Sequence, residues 1–215
     1  AARLVMDLNN TELIIIGEKE RASKVIFWFH GYGSNNWSFE PTMKMLNMYM
    51  NNDICIIMPN APVVDNKRSW YPLPRVNDKG IIIEDLEGLE RSKDEISNFI
   101  NSFSIKKDKK LIIGGFSQGA ALSLSMLFDT EHNFDDCIAL SGYMPNADNY
   151  KSTRIKVGRI FIAHGFSDQA ISFDDYKKTF DFISNKTDRI TSYTDDFGHT
   201  ITKEVNNRLI DWLSD

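Results

Sequence analysis

Cysteine is scarce in this chain. Cys55 and Cys137 are the only two in 215 residues, each within or beside an apolar run. Two isolated cysteines exclude a disulfide scaffold and a thiolate metal centre, and they predict buried, reduced thiols in a cytoplasmic protein. Positive charge is not in excess either. Lys and Arg number 25 against 30 Asp and Glu, giving a net charge of −5, which argues against nucleic acid as a main partner. No apolar run approaches the ~20 residues of a membrane-spanning helix. No basic stretch at the N-terminus leads into a long apolar one, so no secretory signal is expected. Internal repeats and low-complexity segments are missing. Histidine occurs four times, few enough for each copy to be weighed as a candidate base.

What is present is ordinary for a soluble globular protein: 42% hydrophobic and 26% charged residues. The length fits one domain, 1–215, with a full core. Short apolar runs alternate with longer amphipathic segments. Strands are predicted at Leu13–Ile16, Val25–Phe29, Ile54–Met58, Leu111–Gly114, Cys137–Leu140, Ile160–Ala163 and Ile190–Thr194. Several are apolar at every position, as parallel strands covered on both faces must be. Helices are predicted at Pro41–Met50, Glu84–Phe103, Gln118–Phe128, Phe173–Ser184 and Lys203–Leu213. In the second, Leu86, Leu89, Ile96, Phe99, Ile100 and Phe103 share one face. The alternation predicts an α/β fold with a mostly parallel sheet. No helical pattern separates the first strands, which are expected to form an antiparallel edge. The longest irregular segment runs from Asn60 to Gly80 and is a candidate functional loop.

One motif carries chemistry. Gly115-Phe116-Ser117-Gln118-Gly119 has the form G-x-S-x-G. It follows the apolar run Leu111–Gly114 and opens a helical one. Strand, sharp turn and helix form the context in which this motif is a nucleophile elbow, holding a serine out at the carboxyl end of a strand. Glycines two residues either side leave room for the turn.

A serine hydroxyl needs a base. His132 sits in a polar loop and is expected to be a solvated surface residue. His30 and His164 each end a strand and precede a glycine; a loop-bracing role is expected for both. His199 lies between the last strand and the last helix, where the base falls when a triad runs Ser, acid, His along the chain. The acid must lie between them on a strand-end loop. Asp168, five residues after the strand Ile160–Ala163, fits. Asp195 and Asp196 are rivals but sit too few residues before His199 for an easy side-chain bond. Asp174 and Asp175 belong to the following helix, where they favour its dipole. An acyl-transfer site also needs oxyanion donors. The Gln118 amide is one candidate. Tyr32, in the turn His30-Gly31-Tyr32-Gly33 after an early strand, is the other.

Together with Pro59-Asn60-Ala61-Pro62, Ser69-Trp70-Tyr71, Leu140-Ser141-Gly142-Tyr143-Met144-Pro145, His164-Gly165 with Asp168, and Gly198-His199-Thr200-Ile201 with Glu204, these residues resemble the acyl-protein thioesterase, lysophospholipase and small carboxylesterase family of α/β-hydrolases. The resemblance runs from about Lys24 to Leu213. It implies a mostly parallel central sheet with helices on both faces. It also implies a Ser117, Asp168, His199 triad, an oxyanion hole at Tyr32 and Gln118, and hydrolysis of acyl esters or thioesters without metal or organic cofactor. Two departures stand out. That family commonly carries prolines after the acid, where this chain reads Asp168-Gln169-Ala170-Ile171-Ser172. Its oxyanion loop continues into Ser34-Asn35-Asn36-Trp37, more polar than in some relatives.

The segment Arg68–Val76 is apolar for a loop and flanked by Lys67, Arg68 and Arg75. One reading has Trp70, Tyr71 and Leu73 walling an acyl-binding site, with a peripheral membrane contact; the other packs the aromatics onto the domain. Met43, Leu46 and Met50 share a helical face and are expected in the core. The expected partner is an acyl ester or thioester, on a lipid or an acylated protein. The assembly is expected to be a monomer or homodimer.

Overall fold

Apolar runs become strands and amphipathic segments become helices in the computed structural model, which describes residues 12–215. The expectation for the N-terminus lies outside the described residues. In chain order the elements are β1 (Ile14–Ile16), β2 (Lys24–Phe29), α1 (Glu40–Tyr49), β3 (Ile54–Met58), β4 (Val63–Val64), β5 (Lys67–Arg68), β6 (Arg75–Val76) and β7 (Ile82–Ile83). They continue with α2 (Leu86–Ser102), β8 (Lys110–Phe116), α3 (Gln118–Ser125), β9 (Phe134–Leu140), β10 (Val157–Gly165), α4 (Phe173–Ser184), β11 (Ile190–Asp195) and α5 (Lys203–Leu213).

Seven strands form one sheet in the order β1-β3-β2-β8-β9-β10-β11. Six run parallel, and β1 alone is antiparallel, paired with β3. The antiparallel edge is therefore present, but β1 reaches past β2 to its outer neighbour. Alternation along β2 divides the core. Val25, Phe27 and Phe29 join the layer under α2, α3 and α4. Ile26 and Trp28 join the layer under α1 and α5, with Met43, Leu46, Leu209 and Trp212. Successive side chains on a strand face opposite sides, so a sheet covered on both faces must be apolar at every position. On the first face Phe27, Phe99 and Phe103 meet edge to face, with ring centroids 5.1–6.0 Å apart. Truncating Phe27 would cost about 3–5 kcal/mol.

Boundaries moved where caps intervene. The Asp85 carboxylate accepts the Gly88 amide at 2.8 Å and starts α2 at Leu86 rather than Glu84. α3 ends at Ser125, short of Phe128: the Leu127 carbonyl accepts the Lys156 amide at 2.8 Å instead of continuing the helix. The segment expected to be irregular, Asn60 to Gly80, carries the small antiparallel hairpin β4–β5 and the first strand of a second, β6–β7, which closes just beyond it at Ile82–Ile83. Met43, Leu46 and Met50 are buried as expected, and both cysteines are buried and free. Among the described residues no helix is long and apolar enough to cross a membrane.

Candidate active site

Everything at the site hangs from the carboxyl ends of β2, β8, β10 and β11. Ser117 follows β8 and takes φ 58°, ψ −118°. A non-glycine residue in that region costs roughly 1–3 kcal/mol, and the neighbours hold it there. The Ser117 amide donates to the Leu140 carbonyl at 2.9 Å, and the Ser117 carbonyl accepts the Ala121 amide at 3.0 Å. Gly119 lets α3 press against β2: a Cβ there would stand 1.9 Å from the Phe29 carbonyl oxygen, which no side chain can tolerate. This is the strand-turn-helix elbow expected of the motif.

His199 Nε2 lies 3.0 Å from Ser117 Oγ, and its Nδ1 lies 2.7 Å from Asp168 Oδ2. Because a carboxylate accepts, Nδ1 carries the proton and Nε2 is left to accept from the serine hydroxyl. The imidazole rests against the Phe116 ring, centroids 4.7 Å apart. The other Asp168 oxygen accepts the Ala170 and Ile171 amides, both at 2.9 Å. Backbone bonds join the two loops: Phe166 N–H to the Asp195 carbonyl at 2.9 Å and Ser167 N–H to the Phe197 carbonyl at 3.1 Å. The rival acids are engaged elsewhere. Asp195 accepts the Tyr193 hydroxyl, and Asp196 accepts the Ser167 hydroxyl. Such an arrangement can take a proton from Ser117, hold the resulting imidazolium, and return the proton to a leaving group.

The loop bearing Tyr32 passes beside the serine. A Cβ on Gly31 would lie 3.2 Å from that of Ser117. Its far side is fixed by Gly33 N–H donating to the Arg68 carbonyl at 2.8 Å. Neither the Tyr32 amide nor the Gln118 amide finds a partner among the described residues. The side chain of Gln118 has a task that the sequence did not disclose. Its Oε1 accepts the Trp70 amide at 2.9 Å, while Nε2 donates to the Tyr71 carbonyl at 2.8 Å and the Ser69 hydroxyl at 3.2 Å. The residue after the serine thus grips the Ser69-Trp70-Tyr71 stretch.

That grip seats Trp70 as the packing reading had it: it is 2% exposed and packed against Phe29 at 5.1 Å, with its indole N–H donating to the His30 carbonyl at 2.7 Å. Tyr71 is also buried, its hydroxyl 2.7 Å from that of Tyr143. Leu73, 43% exposed, is the one of the three that shares a cavity with Ser117. The cavity measures about 730 Å³ and is walled by Tyr32, Leu73, Ile82, Tyr143, Met144 and Ile171 on its apolar parts. Arg68, expected at a surface, turns inward to donate to the Ala61 carbonyl at 2.8 Å. Among the described residues no group of three or more His, Cys, Asp or Glu could hold a metal ion.

The remaining histidines divide. His30 braces its loop as expected: Nδ1–H donates to the Gly31 carbonyl at 2.7 Å and Nε2 accepts the Ala61 amide at 3.0 Å. Burial pulls its pKa down to about 4. His164 also braces a loop, donating through Nε2 to the Ile171 carbonyl at 2.8 Å. His132 overturns its expectation. It is buried, 2.8 Å from Ser97 Oγ and stacked near Phe134. The polar run around it looked solvated, but the α2 face supplies a partner that no local pattern reveals.

Comparison with known proteins agrees with this geometry. A model of the phospholipase/carboxylesterase family matches residues 10–214. Acyl-protein thioesterase 1 homolog 1 of Dictyostelium discoideum is 31% identical over 177 residues, 76% of this chain and 77% of its own. Acyl-protein thioesterase 1 of Debaryomyces hansenii is 32% identical over 175 residues, 74% of this chain and 75% of its own. Among solved structures, Zea mays acyl-protein thioesterase 2 superposes with a TM-score of 0.81 at 21% identity, covering 95% of this chain and 98% of its own. The Bacillus cereus carboxylesterase superposes at 0.75 with 18% identity, covering 95% and 94%. With strand order, elbow and sequence in agreement, the chain belongs to the phospholipase/carboxylesterase family and is a serine hydrolase of carboxylic ester bonds.

Proposed function

We propose that the chain works as one α/β-hydrolase domain that cleaves acyl esters and thioesters through an acyl-enzyme on Ser117. The observation that carries this reading is the relay from Ser117 Oγ to His199 Nε2 at 3.0 Å and from His199 Nδ1 to Asp168 at 2.7 Å. His199 removes the hydroxyl proton as Ser117 attacks the carbonyl. Asp168 holds the ring and stabilises its positive charge. The tetrahedral oxyanion is received by the unengaged amides of Tyr32 and Gln118. His199 then protonates the leaving group, and water activated by the same ring releases the acid. A thiolate with a conjugate pKa near ~8.5 leaves with less acid assistance than an alkoxide, so one relay serves both substrate types. The relatives named acyl-protein thioesterases support the thioester arm.

Leu73 and Ile82 receive the acyl chain in the cavity beside Ser117. The β6–β7 hairpin, which carries Arg75 and Lys79 and exposes Val76 (67%) and Ile82 (69%), makes a peripheral membrane contact. The test pairs fluorophosphonate labelling with turnover of acetyl, octanoyl and palmitoyl esters and thioesters. Labelling confined to Ser117, with both substrate types hydrolysed, is the expected result. Turnover surviving in Ser117→Ala rejects the reading. Leu73→Ala should weaken long-chain substrates alone, and equal losses for acetate and palmitate reject its role.

A further inference from the structure

The acid loop, Asp168-Gln169-Ala170-Ile171-Ser172, contains no proline and is stiffened by hydrogen bonds. Ile171 sits at the centre. Its amide donates to Asp168 Oδ1 at 2.9 Å, and its carbonyl accepts His164 Nε2–H at 2.8 Å. The same Nε2 lies 3.4 Å from Asp168 Oδ2, the oxygen that receives the proton of His199. His164 is fully buried at the end of β10, stacked on Tyr176 at 5.3 Å and next to Phe173, so its ring cannot swing away. Its Nδ1 is buried without a partner. The ring is therefore a one-donor device: all of its polar function runs through Nε2 into the Ile171–Asp168 turn. Below it, Ser172 caps α4 by accepting the Asp175 amide at 3.1 Å and closes the loop from the other end.

We infer that His164 is a positioning residue of the reaction, acting through Ile171 to hold Asp168 against His199; the inference rests on the triad reading above. The Nε2–H bond fixes the Ile171 carbonyl and with it the Ile171 backbone, whose amide holds one carboxylate oxygen, and the other oxygen is thereby aimed at His199 Nδ1. A displacement of about 1 Å in such an orienting group costs up to ~10²-fold in rate.

The test uses His164→Gln, whose amide reaches the position of Nε2, and His164→Asn, whose amide falls short. His164→Asn is expected to lower kcat about 10–100-fold with KM unchanged, and to abolish the downfield proton resonance of the His199–Asp168 bond. His164→Gln is expected to restore both. The decisive arm is the cycle with Asp168→Asn. If His164 acts through Asp168, adding His164→Asn to Asp168→Asn costs nothing further. The inference is overturned if His164→Asn turns over within twofold of wild type. It is equally overturned if its penalty persists in full on the Asp168→Asn background, or if Gln fails to rescue. An active Ser117→Ala would instead sink the triad reading, so the two failures are distinct.

Discussion

Among the described residues two serines touch a histidine beside a carboxylate, and one of them has the arrangement of a nucleophile. Ser97 Oγ lies 2.8 Å from His132 Nε2, closer than Ser117 to His199. The difference is where the acid stands. Glu131 Oε1 accepts the hydroxyl proton of Ser97 itself at 3.2 Å, and a second proton from Asn101 at 2.6 Å. With its own proton committed to Glu131, Ser97 can only accept from His132, so that imidazole donates at Nε2 and is no base towards it. At the other site Asp168 binds the far nitrogen, and the proton order reverses. Ser97 also lies within α2, while Ser117 stands on a strained turn that faces a cavity. Composition and distance alike fail to separate the clusters. Donor order and backbone do.

The sharpest way to break this comparison is to delete each hydroxyl. Ser117→Ala should lower kcat on a p-nitrophenyl ester by about 10⁴-fold or more. A variant that kept most of its turnover would erase the distinction. Next comes the acid. Asp168→Asn should cost about 10³–10⁴-fold, because the amide can hold the ring but not its charge. Asp195→Asn and Asp196→Asn should stay within a few-fold, since their carboxylates serve Tyr193 and Ser167; an inactive Asp196→Asn would reassign the acid.

The second cluster should register in stability rather than in rate. Burial lowers the pKa of His132, as it does for His164, and takes His30 to about 4. Between pH 6.5 and 4 the unfolded chain binds more protons at these rings than the folded one. Stability is therefore full above pH 6.5 and falls as pH drops towards 4. The His30 share alone is roughly 3 kcal/mol. Urea melts at pH 7 and pH 4.5 measure this, and His132→Gln should flatten part of the slope. A pH-independent midpoint over that range would show these rings to be open to solvent. The smallest effect belongs to Ser97→Ala: turnover within twofold, and a stability loss of about 1 kcal/mol. Fluorophosphonate should label it as it labels wild type.

Much of this was legible because the fold writes itself into period and order. β2 from Val25, β3, and β9 from Cys137 are apolar on both faces, as a covered parallel sheet requires. The elbow was readable because its glycines are forced by contact with β2, and His199 and Asp168 because chain order assigns them to neighbouring strand ends. The pairing of β1 with β3 was not legible, since register depends on which edge remains open after β2 and β3 have paired. Trp70 left two readings open for a related reason. A loop aromatic reads as exposed until a distant residue, here Gln118, supplies the bond that seats it. His132 misled in the same way, through Ser97 35 positions earlier.

The grip of Gln118 on Ser69-Trp70-Tyr71 splits the long connection from β3 to α2 into a root and a tip. The root is bonded through Gln118 to the turn that holds Ser117. Beyond Tyr71, among the described residues, the hydrogen bonds of residues 72–83 stay within the β6–β7 hairpin until Glu84 accepts the Asn146 amide at 3.0 Å. Residues 72–83 are thus a self-bonded flap whose Leu73, Pro74 and Ile82 face the cavity beside Ser117, so substitutions there should alter the cavity wall while leaving the turn at Ser117 in place.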